Sequence, residues 1–345
     1  MKAVLFHTHG IDKYDFSSLQ QGMLPAINAA AAKRNIDLVP TLYLTPNGLD
    51  SYIRLLDEHA NLSDQGLTPR ILGFGIEGPL LGPNGGIPRA STWIPTVREW
   101  HKITGTPGAH PAYVVMAPDA MGLDDEIEPG YRFRDLLDSI YSSGSRVAVG
   151  HFCRDDAGRS ARRLDDFLSY IWTTWRQDRF AVLTDHLYND MPRNFKHTWR
   201  TDEERITREE YLKKFLPIEW NPDSVEGLLG PIPGRLLGYA RTGMICPALN
   251  FDGEHVDLEI VRKTVAYVGA ANLIAITDNT EVPIMAGERL TQRTGSHLYF
   301  RDDGAVAAGG LDVTGQVANM HLLGLSGAEI ATMLEVNPRS ALGLQ

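Results

Sequence analysis

The chain has 345 residues, 43% of them hydrophobic and 22% charged, with 33 glycines and 20 prolines, enough to bury a large core in a single α/β domain. A formal net charge of -10, from 43 acidic and 33 basic side chains, argues against a nucleic-acid partner, because neutralising phosphates takes clustered Lys and Arg. The basic stretches Arg159–Arg163 and Arg193–Lys196 are short and interrupted. Two cysteines, Cys153 and Cys246, make no disulfide framework and suit buried thiols in a reducing compartment. No stretch approaches the ~20 apolar residues of a membrane span, and MKAVLFHTHG is too short an apolar run for a signal peptide. The sequence reads as soluble and cytoplasmic, with no membrane partner.

Short apolar runs recur along the chain: Ala3–Phe6, Leu38–Leu44, Ile71–Ile76, Tyr113–Met116, Arg146–Val149, Phe180–Leu183, Met244–Ala248 and Leu273–Thr277. Runs of this length without alternation fit strands buried on both faces, as in a parallel sheet covered by helices. Segments with helical spacing lie between them. Leu19–Asn35 is Ala-rich, Asp165–Arg176 is amphipathic, and Asp257–Val268 carries apolar residues three and four apart. Strands alternating with helices in this way predict a (β/α)8 TIM-type barrel in one domain spanning residues 1–345. Residues 192–239 exceed a minimal barrel and read as an insertion, either a lid, an oligomer contact or a surface decoration. Its first half is predicted to hold a helix with a Thr207-x-x-Glu210 capping pattern.

Groups able to bind metal stand just past several predicted strand ends. His7 and His9 alternate on strand one, so both imidazoles point to the same side. Glu77 follows strand three, His151 strand five, His186 strand six and Asp278 strand eight. Active sites of this fold assemble at the C-terminal face from the ends of different strands. Four histidines and two carboxylates there supply N and O ligands for one or two divalent ions with a position left for water. Burying that many titratable groups together without a metal would cost several kcal/mol in desolvation and repulsion. Such mixed ligands suit zinc, iron, manganese or cobalt. Asp278 also suits a helix N-cap after strand eight.

At these residues the sequence resembles the N-acetylglucosamine-6-phosphate deacetylases of the amidohydrolase superfamily, in order along nearly the whole chain. His7-Thr8-His9-Gly10 with Asp15-Phe16, Ile76-Glu77-Gly78-Pro79-Leu80, Ala117-Pro118-Asp119, Gly150-His151, His186-Leu187-Tyr188-Asn189-Asp190-Met191, Asp252-Gly253-Glu254-His255-Val256, Thr277-Asp278 and the tail from Gly324 to Leu344 look like that family's motifs. The resemblance implies Glu77, His151 and His186 as core metal ligands. It implies that His7 and His9 help to bind a second ion, bridged by Glu77 and approached by Asp278. Asn189 would touch the substrate, and His255 its sugar hydroxyl or carbonyl oxygen. In the mechanism that follows, Asp278 is the general acid/base and His255 stabilises the oxyanion.

The sequence departs from that family in three ways. No room is left for the family's accessory β-sandwich, so the flank is expected to be covered by the insertion or by another subunit of a homo-oligomer, a dimer. Gly85-Gly86-Ile87-Pro88-Arg89 replaces the family's KGAH. Asp190 replaces an alanine beside the sugar phosphate, where its charge would need an arginine such as Arg89, Arg193 or Arg200 to compensate. The leading expectation is a metal-dependent amidohydrolase acting on the N-acetyl amide of a small amino sugar. The alternatives are the same metal centre acting on another amide, a cyclic amide or an ester, and a non-catalytic sugar-binding barrel.

Overall fold

The computed structural model describes residues 1–83 and 85–344. The predicted strands form where the apolar runs lie: β1 (Val4–Ile11), β2 (Asp37–Tyr43), β3 (Gly75–Glu77), β4 (Tyr113–Met116), β5 (Arg146–Val149) and β6 (Val182–Thr184), every residue of them buried. Run seven gives β7 (Ile245–Cys246) and runs on into β8 (Ala248–Asn250), and run eight gives β9 (Ile274–Ile276), with β10 (Asn279–Thr280) just beyond it. Pro247 separates β7 from β8, since it has no N–H to give to a ladder. Its carbonyl still accepts from Ile274 N–H at 2.9 Å.

The pairing is parallel throughout these strands. A continuous path runs from β10 through β1, β2, β3, β4, β5 and β6 to β7, and β8 pairs separately with β9. Alternation along the strands sorts their side chains into two cores. Leu5, Val114, Met116, Val147, Val182 and Leu249 face the helices. Val4, Phe6, Val115, Ala148, Leu183, Ile274 and Ile276 gather in a second core with Tyr113, whose ring stacks on Phe6 at 5.0 Å. Helices on one side and a separate apolar interior on the other leave the strands no polar face, which is why they read as unbroken apolar runs.

The predicted helices form with moved ends. The first begins at Leu24, with Pro25 at its start, and ends at Lys33. The predicted Asp165–Arg176 helix is the second half of α-helix Ala157–Thr174, which Asp156 caps by accepting from Arg159 N–H. The third is Leu258–Val268, with Asp257 as its cap rather than its first turn.

The 192–239 segment holds three helices, Asp202–Phe215, Val225–Leu229 and Pro231–Arg241. The predicted Thr207/Glu210 cap does not form. Thr201 and Glu204 make the capping box instead, and the Thr207 hydroxyl donates to Glu204 O inside the helix. Asp202, Glu203 and Glu204 in the first turn favour that earlier start by facing the positive end of the helix dipole. The last helix packs against both Ala157–Thr174 and Leu258–Val268, so it belongs to the layer that covers the sheet. The part before it is pinned to the loop that follows β8. Thr198 Oγ1 donates to Glu254 O at 2.6 Å, Asp257 N–H donates to His197 O at 2.5 Å, and Arg208 grips Asp257 through Nε at 2.6 Å and a second nitrogen at 3.1 Å.

After β10 the chain makes short antiparallel pairs, Ile284–Met285 with Glu288–Arg289, then Thr291–Gln292 with Tyr299–Phe300 and Val306–Ala308. A Cβ on Gly86 would lie 1.7 Å from Val306 O, so glycine there is what lets the loop after β3 meet this block. Among the described residues, β1 is the first element and the last ones are helical.

Candidate metal centre

The C-terminal ends of the strands carry the candidate ligands, all buried. In β1, His9 Nδ1 lies 3.3 Å from the carbonyl of Thr41. A carbonyl only accepts, so Nδ1 holds the ring proton and Nε2 faces inward with its lone pair. His7 Nδ1 sits 3.2 Å from the Tyr113 hydroxyl, which donates to Phe6 O at 3.0 Å and meets Thr41 Oγ1 at 2.7 Å. Buried polar groups below the strands thus aim both rings.

Glu77 lies between two histidine pairs. Its Oε2 is 3.1 Å from His7 Nε2 and 3.4 Å from His9 Nε2, while Oε1 is 2.6 Å from His151 Nε2 and 3.4 Å from His186 Nε2. Asp278 Oδ1 stands 3.2 Å from His9 Nε2, and its Oδ2 3.2 Å from His255 Nε2. Two groups able to hold a metal ion result: Glu77, His151, Asp185 and His186 in one, and His7, His9 and Asp278 in the other. Among the described residues, six atoms that face these groups have no hydrogen-bond partner: His7 Nε2, His9 Nε2, Glu77 Oε2, both Asp185 oxygens and Asp278 Oδ1. Buried polar atoms in folded proteins are normally paired. An N/O donor set whose orphaned atoms converge fits one or two divalent cations.

The electrostatics agree. Burial opposes a charge on Glu77, but His7, His151 and His186 hold its carboxyl well below the usual range. Burial also opposes a charge on His255, where Asp252 and Asp278 outweigh it and raise the pKa to about 9. Asp252 Oδ2 accepts from His255 Nδ1 at 2.5 Å, and its Oδ1 accepts from the backbone of Glu254 and His255. His255 Nε2 is therefore aimed at Asp278. His151, Tyr188, Asp190 and Asp278 take positive φ of 47°, 76°, 42° and 45°, a backbone cost of about 1–3 kcal/mol each that persists only where surrounding structure enforces it.

The cluster opens into a cavity of about 240 Å³ whose walls include Tyr43, Asn189, Arg154, Arg193, His197 and Arg200. Of the predicted site residues, His151, His186, Asn189, Asp190, His255 and Asp278 line it, and His7, His9 and Glu77 lie beneath. Arg89 lies outside it, exposed and paired with Asp302 and Asp303. The arginine that balances Asp190 is Arg154, and the other carboxylate oxygen is 3.2 Å from His151 Nδ1. Asp190 therefore faces a candidate ligand and an arginine, and its charge is already balanced. Among the described residues, Arg193 donates to the carbonyls of Tyr188 and Met191 alone, and Arg200 Nε has no partner. His197 is buried, and burial together with Arg193 and Arg200 lowers its pKa well below the usual value.

Asp185, Asp252, Arg154, His197 and Tyr113 were not singled out from sequence. Strict alternation puts Asp185 opposite His186, but β6 ends at Thr184 and the pattern lapses before it. Asp252 carried a signal in its spacing of three from His255 within a glycine turn.

No protein-family model matches the chain, and no curated protein matches it. Among solved structures its fold is similar to that of N-acetylglucosamine-6-phosphate deacetylases. The N-acetylglucosamine-6-phosphate deacetylase of Thermotoga maritima aligns with 99% of this chain and 78% of its own, at 15% identity and a TM-score of 0.68. That of Pasteurella multocida aligns with 99% and 76%, at 14% identity and a TM-score of 0.69. The Mycobacterium smegmatis enzyme, in complex with N-acetyl-D-glucosamine-6-phosphate, aligns with 99% and 77%, at 18% identity and a TM-score of 0.65.

Proposed function

We propose that this chain is a metal-dependent amidohydrolase on a (β/α)8 barrel that cleaves the N-acyl amide of a small anionic substrate, an N-acetyl amino sugar phosphate or a relative. The barrel reading is supported by the parallel path from β10 to β7, by the separate parallel pair β8–β9, and by the second apolar core on the face away from the helices. The observation that carries the function is the convergence of His7, His9, Glu77, His151, His186 and Asp278 with unpaired ligand atoms beneath an arginine-lined cavity.

A divalent ion held by Glu77, His151 and His186, or by His7, His9 and Asp278, would supply an activated water and polarise the scissile carbonyl. Asp278 takes the proton from the attacking water and passes it to the leaving nitrogen. His255, held by Asp252, carries a proton on Nε2 at neutral pH and donates it as a hydrogen bond to the developing oxyanion. Asn189 offers an unpaired Oδ1 to a substrate hydroxyl or N–H. Arg193 and Arg200 have no carboxylate partner among the described residues, and neutral His197 stands between their fields, so the far wall favours a phosphate or carboxylate. The replacement of the family's alanine by Asp190 does not oppose this, because Arg154 balances it.

The test is acetate release from N-acetylglucosamine-6-phosphate and from N-acetylglucosamine, side by side on the metal-loaded chain. The reading expects preference for the phosphate ester, lost in Arg193→Ala and Arg200→Ala. No release from either substrate by a chain that has bound metal would move the search to other anionic amides and cyclic amides.

A further inference from the structure

We propose that Asp185 is itself a metal ligand, the fourth protein donor to the ion held by Glu77, His151 and His186. This inference rests on the metal-centre reading above. Asp185 is 1% exposed, and neither carboxylate oxygen has a hydrogen-bond partner among the described residues. A buried carboxylate without hydrogen bonds or a cation is among the most costly arrangements a fold can contain. Its Oδ2 lies 3.5 Å from His151 Nε2 and 3.6 Å from His186 Nδ1, and it joins the Glu77 oxygen in one potential ligand set. The backbone makes room for it. A Cβ on residue 150 would stand 1.7 Å from Asp185 Oδ2, so only glycine at the end of β5 lets this carboxylate reach the cluster.

With Asp185 counted, each group offers four donors: Glu77, His151, Asp185 and His186 to one ion, and His7, His9 and Asp278 with the other Glu77 oxygen to a second. His151 and His186 from the first group and Asp278 from the second line the cavity. Asp185 then sets the affinity of the first ion.

The experiment compares wild-type chain with Asp185→Asn by metal content after equilibration at fixed free zinc, and by cobalt(II) titration followed in the visible range. The expected result is loss of one ion equivalent and a drop in affinity beyond the about 10–100-fold that an outer-shell partner contributes. Asp185→Cys is the second variant, with cobalt(II) as the probe. A residue bonded to the ion gives a near-ultraviolet thiolate-to-cobalt band that wild type lacks, since Cys153 and Cys246 lie outside both ligand groups. Wild-type stoichiometry and affinity in Asp185→Asn, or metal-loaded Asp185→Cys without the band, would overturn the inference and leave Asp185 as a group acting through the His186 ring. Wild-type chain that binds no ion at all would instead sink the metal-centre reading on which the inference stands.

Discussion

Asp190 offers a sharp test because the structure adds a second role to the one the sequence gives it. From sequence it is a negative charge beside an anionic substrate that needs an arginine to compensate it, so its removal would bear on substrate binding. In the structure its side chain is 19% exposed and holds two partners, His151 Nδ1 at 3.2 Å and Arg154. A carboxylate that orients a metal-binding imidazole is worth about 10–100-fold in metal affinity, or about 1.4–2.8 kcal/mol. Burial leaves little solvent screening to reduce that figure. Asp190→Ala is therefore expected to weaken metal binding by that factor, read by competition with a chromophoric chelator. It also frees Arg154 beside Arg193, so inhibition by inorganic phosphate should strengthen in the same variant. A metal dissociation constant equal to wild type would refute the structural reasoning, and a gain in phosphate affinity alone would restore the sequence-based role.

Three further outcomes are expected. Asp278→Asn loses the proton acceptor, so turnover per bound ion should fall by about 10²–10⁴-fold; near-wild-type turnover would remove Asp278 from the chemistry. Tyr113→Phe strands Thr41 Oγ1, Phe6 O and His7 Nδ1, at a cost of about 1–3 kcal/mol in stability, measured by denaturant unfolding of both chains with bound metal. Glu204 tests pH dependence away from the site: its bond from Lys196 and the N–H groups of Arg200 and Thr201 lower its pKa from 4.5 to about 2. A lowered carboxylate pKa stabilises the fold above the unfolded value and loses that effect as pH falls toward 2. With 38% of the side chain exposed, screening brings the contribution to about 1 kcal/mol, so Glu204→Gln should unfold more easily at pH 7 and match wild type near pH 2.

Much of the centre was legible in the sequence because the chemistry followed the backbone period. His7 and His9 lie two apart inside a strand, where alternation holds, and Glu77, His151, His186 and Asp278 each close a buried run. Legibility failed where the backbone left its period or contacts were long-range. Asp185 and His186 lie past the end of β6, so the rule that separates adjacent side chains no longer applied. Arg154 and Arg89 are both arginines in loops after strands, and only the fold determines that the first meets Asp190 and the second Asp302. The two Thr-x-x-Glu patterns at 201 and 207 are equivalent by motif, and the acidic first turn after Thr201 separates them. The short pairs after β10 also had a signal, in the Ala286-Gly287 and Asp303-Gly304 turns between alternating residues, a hairpin pattern weaker than the barrel repeats around it.

The most direct measurement of the central claim is amide hydrolysis by the chain stripped of metal and then reloaded with zinc, iron, manganese or cobalt at counted equivalents. The account predicts no acetate release from N-acetylglucosamine-6-phosphate by the stripped chain and recovery in step with bound ion. Release that survives complete metal removal would contradict it.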